Sequence, residues 1–347
     1  MSAPAAASRT WVVIVVAAVF LAVGALAGYE LRAPTTSSPQ AASPETLSVT
    51  AAGTLGTVFP QIADALGNNS PGVQVPSASQ QYEGSILALN AIAQLHQSYD
   101  VAAAADYHLI PSILEPSLAG WEVGFATTPE ALAYDASASA LAGINTTNWA
   151  QKIEQPGVVM GVANASTDPN GYNEIFTLQL EGMAVNGSLS SVYGHFFTTP
   201  VGSYAVPNPT TAKLEPETQA SLLLSTHVVQ AFIIYQSYAV SHHLAYVPLS
   251  PSVSLGATDA TSITAYAQAS TSILTASGSL QKVTGAPVIF SVTVPTGAPN
   301  PELGNQFVDL LLAPEGGRLL VAAGFTPLTP GWLQSTGPVP SQVIADT

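Results

Sequence analysis

The sequence has no cysteine. Disulfides, thiol chemistry, cysteine-held metals and a lipid-modified cysteine anchor are therefore excluded. Bases are scarce as well: six lysines and arginines stand against 21 acids, a formal net charge of −15. That shortage excludes a nucleic-acid partner, because phosphate backbones are held by clustered Lys and Arg. Charge of either sign covers only 8% of residues, so Ala, Ser, Thr, Gly and Pro fill the surface positions. The familiar catalytic signatures are missing too, with no Gly-x-Ser-x-Gly, no phosphate-loop Gly-Lys-Ser/Thr and no His-Glu-x-x-His. His242 and His243 are adjacent, which does not present two metal ligands on one helix face. His195 and His227 have no acidic neighbour in sequence, and nothing places a substrate between Asp168 and Glu174. The chain is expected not to be an enzyme.

What is present begins with one apolar run, Trp11 to Ala27, free of charge. As a helix it would reach roughly 25 Å, the lower limit for crossing a bilayer. Arg9 precedes it, and Glu30 and Arg32 follow. Ala25-Leu26-Ala27 also resembles a cleavage motif, so residues 1–28 read as a transmembrane anchor or a signal segment. Either way the remainder is exported. Residues 29–46 are rich in Pro, Thr, Ser and Ala and read as a flexible tether, about 20–25 Å long on average. The folded body starts at Leu47 and is long enough for one large or two medium domains.

Along that body the pattern alternates strand, loop and helix. Leu47–Ala52 reads as a first strand, followed by a helix through Phe59, Ile62 and Leu66. Val73–Val75 reads as a second strand, Gln80–Ser85 as a loop, and the next helix places Ile86, Leu89, Ile92, Ala93 and Leu95 on one face. Asp100–Ala104 is a third strand. Such alternation predicts a parallel sheet with its ligand loops at the strands' carboxyl ends. Gly124–Tyr134 crosses into a second lobe, so residues 47–126 and 248–347 are assigned to lobe I and 127–247 to lobe II. Val158–Val162 and Val229–Tyr235 read as strands of the second lobe. Residues 250–285 read as partly helical through Ile263, Tyr266, Ala267, Ile273 and Leu274. Val288–Val294 returns as a strand, and Pro301–Leu312 closes as a helix with Phe307, Leu310 and Leu311 inward.

The loops carry the chemistry. Ser166-Thr167-Asp168-Pro169-Asn170-Gly171-Tyr172 joins a strand to a helix start, where backbone N–H groups point outward and can seat an anion. Asp168 serves equally as an ordinary helix cap. Gly53-Thr54, Gly84-Ser85, Glu217-Thr218 and Tyr235 end other strands. Together they offer hydroxyls, backbone N–H groups and a phenol with no base nearby. That set suits an anion held by neutral donors and helix dipoles.

These motifs resemble the molybdate/tungstate-binding proteins of ABC importers, particularly the archaeal group. The resemblance is carried by Ala52-Gly53-Thr54-Leu55, Gly84-Ser85, Ala105-Asp106-Tyr107-His108-Leu109-Ile110-Pro111, Asp168-Pro169-Asn170-Gly171-Tyr172 and Tyr235–Val240. The endings Ala298–Glu302 and Gly324–Leu328 follow in the same order. It implies an α/β, two-lobed periplasmic-binding-protein fold of type II, each lobe a mixed sheet flanked by helices, with the ligand cleft between lobes. It implies molybdate or tungstate as ligand, no cofactor, an ABC permease as partner, and a monomer on the extracytoplasmic face of the membrane. Residue by residue it assigns Thr54 and Ser85 as hydroxyl donors, Asn170 and the Glu217-Thr218 turn as backbone donors, and Tyr235 as the phenol. Asp168 matches a carboxylate that archaeal members use as an extra ligand to the metal centre. Archaeal members carry a glutamate immediately before the tyrosine; here that position is Ile234, which implies a four-coordinate oxyanion. On the same fold the alternatives are sulfate or another tetrahedral oxyanion. Outside transport, the alternative is a tethered sensor or adhesin.

Overall fold

The computed structural model describes residues 45–345 and 347. The anchor or signal segment expected at 1–28 and nearly all of the tether at 29–46 lie outside the described residues. Among the described residues no helix is long and apolar enough to cross a membrane.

Two mixed sheets organise the body. The first has six strands in the order Thr326–Ser335, Trp121–Thr127, Ile289–Thr293, Val101–Ala104, Val49–Ala52 and Gln80–Glu83. Its core strands Val49–Ala52 and Val101–Ala104 are buried along their whole length, as their run of Val, Ala and Thr dictates for strands covered on both faces. Helix Phe59–Asn69 lies against this sheet, with Phe59, Ile62, Ala63 and Leu66 buried at helical spacing. Phe59 meets Phe125 and Phe307 from strand and closing helix, ring centroids 5.9 and 5.0 Å apart.

The second sheet has five strands in the order Tyr246–Pro248, Glu130–Tyr134, Ala231–Tyr235, Met160–Val162 and Ala212–Leu214. Strand Ala231–Tyr235 is fully buried, in keeping with its aromatic and β-branched content. Across its face lies the long helix Pro169–Asn186. Asp168 caps it by accepting from Asn170 N at 3.0 Å, Pro169 takes the first position, and Gly187 ends it at φ 65°. Every residue from Pro169 to Gly182 is buried, including Asn170, Asn173, Glu174, Thr177 and Gln179. So many polar side chains inside a buried helix need internal partners.

Only Thr128 and Pro129 separate strand Trp121–Thr127 of the first sheet from strand Glu130–Tyr134 of the second. This link is held tightly. Gln236 N donates to Pro129 O at 2.8 Å, Ser237 N to Thr128 Oγ1 at 3.1 Å, and Glu130 N to Ser254 O at 2.6 Å. The return path runs through residues 249–288 to strand Ile289–Thr293.

Three expectations need correction. Among the described residues Val73-Gln74 pairs only with Glu45-Thr46; the strand beside Val49–Ala52 is Gln80–Glu83, a polar edge strand in place of the expected loop. Leu95, expected inward, is exposed, because helix Ser85–Ala93 ends before it. Ile273 and Leu274 are not helical. They lie in the hairpin Ser270–Leu274 and Leu280–Thr284, and only Ala260–Tyr266 forms the helix of that region. The hairpin belongs by contact with the second sheet's side, since Gln179 Nε2 donates to Ser270 O and Ser270 N to Gln179 Oε1. The hairpin thus packs against helix Pro169–Asn186 through these two bonds.

Candidate functional site

Strands Val49–Ala52, Gln80–Glu83 and Val101–Ala104 run parallel, as do Met160–Val162, Ala212–Leu214 and Ala231–Tyr235. Their carboxyl ends carry every loop singled out from the sequence. The chain turns out of each strand into a helix start, so Thr54, Ser85, Asn170, Glu217 and Tyr235 all sit where strand gives way to helix. All five are buried.

The two halves meet at these loops. Thr54 Oγ1 donates to Glu217 Oε1 from the other half. The Glu217 and Asp168 carboxyl groups stand close enough for each to shift the other's ionisation. Ile86 N donates to Thr167 O at 3.2 Å. A methyl on Gly53 would stand 2.5 Å from Thr218 Cγ2, which measures how closely the facing turns approach. Beside the carboxyl pair opens a pocket of about 390 Å³, walled by Glu83, Gly84 and Leu87 on one side and by Thr167, Asp168 and Glu217 on the other. Among the described residues no lysine or arginine lines it.

The remaining residues take separate places. Ser85 Oγ accepts from Ala105 N at 3.0 Å, which fixes the hydroxyl at the start of its helix. Tyr235 OH accepts from Asn173 Nδ2 at 3.2 Å. The Asn170 backbone N–H, expected to face a ligand, is given to the Asp168 cap. Its side chain donates to Glu174 Oε1 and, at 3.1 Å, to Ile233 O. Thr218 O accepts from Tyr238 OH at 3.1 Å.

Two features were not visible in the sequence. The first is the partner of Asp168. Ile234 is buried in its strand, one residue from Tyr235, and alternation turns its side chain to the opposite face. A carboxylate nevertheless stands against Asp168, and it comes from Glu217. The second is Glu130. Strand Glu130–Tyr134 runs antiparallel to Ala231–Tyr235 and pairs Glu130 with Tyr235, which brings a carboxyl to the cleft end from the strand's beginning. Only the pairing direction puts it there; no local motif does. Neither Glu130 oxygen has a well-formed hydrogen bond, and neither has the Asn170 side-chain oxygen.

Four carboxyl groups, Glu130, Asp168, Glu174 and Glu217, therefore share one dry region. Burial pushes Asp168 up to about 6, against the capping N–H of Asn170, which works to lower it. Burial and then the neighbouring acids hold Glu130, Glu174 and Glu217 well above the usual carboxylate range. Raised in this way, a carboxyl favours its protonated form, in which it can donate a hydrogen bond. Glu174 is tied to Asn170 and to Ala163 N at 3.2 Å, so it braces the helix start. His227, which has no acidic neighbour in sequence, finds Asp135 Oδ2 at 2.7 Å. His242 stacks on Tyr238 at a helix end. Among the described residues no group of three or more His, Asp or Glu is arranged to hold a metal ion.

The sequence family described as bacterial extracellular solute-binding protein matches residues 47–326. An uncharacterized solute-binding protein of Methanococcus maripaludis is 26% identical over 324 residues, 88% of this chain and 93% of that one. The molybdate/tungstate-binding protein of Thermococcus kodakarensis is 26% identical over 249 residues, 69% of each chain. Among solved structures, the periplasmic molybdate-binding protein of Azotobacter vinelandii aligns with TM-score 0.54 at 11% identity, covering 81% of this chain and 98% of that one. The sulfate-binding protein of Mycobacterium tuberculosis aligns with TM-score 0.56 at 12% identity, covering 82% and 88%. At such identities the likeness is one of fold: mixed α/β, two-sheeted and periplasmic-binding-protein-like.

Proposed function

The chain belongs to the bacterial extracellular solute-binding protein family, and from that premise we propose that its solute is molybdate or tungstate. One observation carries the reading. A hydroxyl of one lobe, Thr54, meets a carboxyl pair of the other, Glu217 with Asp168, inside a closed cleft whose pocket no base lines. A dianion is repelled by ionised carboxylates unless they carry protons or bond to its central atom. Here both routes are open. Protonated, the pair donates hydrogen bonds; ionised, two oxygens stand side by side as extra ligands to molybdenum or tungsten. Sulfur in sulfate does not expand its coordination in this way, so the pair favours the larger oxyanions. The relative in Thermococcus kodakarensis, a molybdate/tungstate binder by its name, supports the same ligand class.

In this reading Thr54, Ser85 and Tyr235 donate through hydroxyls, and the Asn170 and Glu217-Thr218 backbone donates as the loops settle around the ligand. The protein holds the anion outside the cytoplasm, with the Trp11–Ala27 run as anchor or signal, and delivers it to an ABC permease. Sulfate is the second reading, favoured by the fold shared with a sulfate binder.

Calorimetric titration with molybdate, tungstate, sulfate and phosphate tests the assignment. Tight binding of the first two and weak binding of the others is expected. Thr54→Ala removes a buried donor to a charged acceptor and should weaken binding by about 1.5–3 kcal/mol, roughly ten- to hundredfold. Asp168→Asn should lower the preference for tungstate over sulfate. Equal affinity for all four anions would remove the ligand assignment, and an unchanged Thr54→Ala would remove that residue's role.

A further inference from the structure

Two motifs singled out in the sequence, Ala105–Pro111 and Asp168–Tyr172, contain residues that the ligand site does not use. Asp106 follows strand Val101–Ala104 in the first lobe, and Tyr172 lies on helix Pro169–Asn186 of the second. They meet across the cleft. Tyr172 OH donates to Asp106 Oδ2 at 2.6 Å. We propose that Asp106 and Tyr172 form a latch that holds the lobes together and slows ligand release.

The two oxygens of Asp106 have divided duties. Oδ1 accepts from His108 N at 2.9 Å and faces His108 Nδ1 at 2.9 Å, both within its own lobe. Oδ2 is left for the opposite lobe. The acceptor is thus oriented before the lobes meet, which lowers the ordering cost of closing. Burial works to raise the Asp106 carboxyl, but the bonds from His108 and Tyr172 outweigh it and hold the group below its ordinary value. An ionised acceptor 2.6 Å from a hydroxyl makes one of the stronger hydrogen bonds a protein forms.

The position of the latch separates it from ligand contacts. Two other bonds across the cleft, Thr54 to Glu217 and Ile86 N to Thr167 O, adjoin residues assigned to the ligand. Asp106 and Tyr172 instead border a different groove, of about 610 Å³, between helix Ser85–Ala93, the Tyr107–Ile113 turn and the hairpin. The Tyr172 hydroxyl is given to Asp106 and is not among the donors assigned to the anion. The ring itself packs on Phe176, centroids 5.7 Å apart, and phenylalanine keeps that contact.

The lack of cysteine allows a clean test. Leu95→Cys in the first lobe and Val185→Cys in the second are exposed positions for two spin labels. Their separation is read by pulsed electron resonance with and without sodium tungstate. Tyr172→Phe is expected to shift the distribution toward longer distances in both conditions. It should also raise the tungstate dissociation rate roughly ten- to hundredfold with little change in association. Asp106→Asn should shift the distribution the same way. The double variant should be no worse than the stronger single, because both remove one interaction. Unchanged distances and dissociation in Tyr172→Phe, or losses that simply add, would overturn the latch. The tungstate arm rests on the proposed ligand. If tungstate leaves the parent unaltered, that assignment fails, and the latch is judged on the tungstate-free distances alone.

Discussion

Gly84→Ala is expected to weaken oxyanion binding by roughly a hundredfold while each lobe stays folded. Gly84 has φ −55° and ψ 133°, a backbone conformation that alanine adopts freely, so the first lobe accepts the change. The obstacle lies across the cleft. The added methyl would fall well inside contact distance of Thr167 O, 3.0 Å from its carbonyl carbon and 3.1 Å from Asp168 Cβ. Two of these three atoms are backbone, and a main chain does not rotate aside as a side chain does. The relief available is to part the lobes, and overpacking of this kind costs about 1–3 kcal/mol. That energy comes out of closure, hence out of affinity. Gly53→Ala should be milder, because it meets the Thr218 methyl group. Calorimetry gives the affinity, small-angle scattering the compactness, and circular dichroism the melting point. Alanine at 84 with parental affinity would mean that the lobes do not approach this closely around the ligand.

The second large effect is on stability, which should fall as pH rises from about 4.5 to about 8. Glu122 is buried in the middle of strand Trp121–Thr127 with neither oxygen in a well-formed hydrogen bond. Burial drives its carboxyl up from 4.5 to about 8; Ser291 opposes the shift, and Glu115 and Asp106 add to it. The sign follows from proton counting. Below 4.5 both folded and unfolded chains hold the proton, and the group does not penalise folding. Between 4.5 and 8 the unfolded chain loses the proton while the folded chain keeps it, so unfolding gains about 1.4 kcal/mol per pH unit from such a group. Above 8 the loss levels off. Asp168, Glu130, Glu174 and Glu217 are raised as well and act in the same direction. Asp106 and Asp135 are lowered and lose their contribution only at strongly acid pH. Denaturant midpoints measured without added oxyanion should decline across this window, and Glu122→Gln should flatten the decline. Stability that is level or rising from 4.5 to 8 would show that these carboxyls are not held neutral.

How much of this was legible in the sequence depended on whether the signal was local. Helix Phe59–Asn69 and strand Ala231–Tyr235 were readable because periodicity and β-branched content act within a few residues. The Asp168 cap was readable because Asp-Pro marks a helix start. Gln80–Glu83 was not, because an edge strand has few apolar residues to announce it. The hairpin at 270–284 was hidden by Ser, Thr and Ala, which fit helix and strand alike. Strand Thr326–Ser335 was seen only as a terminal motif, its two prolines arguing against a ladder, and it sits at the sheet edge where prolines are tolerated. In the site, hydroxyl and backbone donors were visible as motifs. Glu130 and the Glu217–Asp168 pair were not, since strand pairing and lobe contact bring those acids together from 38 to 87 positions apart.

The two-residue link at Thr128-Pro129 sets how finely the cleft can measure. Proline fixes one of its few dihedrals, and Gln236, Ser237 and Ser254 clamp its neighbours to the second sheet. With the link so constrained, each lobe would swing as a rigid jaw, its donors already set. Such a device works as a calliper: it reports the radius of whatever stops the jaws. An anion of fitting size lets Tyr172 reach Asp106. A wider one halts the swing early and leaves that hydrogen bond stretched, where its strength falls off steeply. On the proposed function, selection by size would then be read at the Asp106–Tyr172 bond, apart from the donors assigned to the anion.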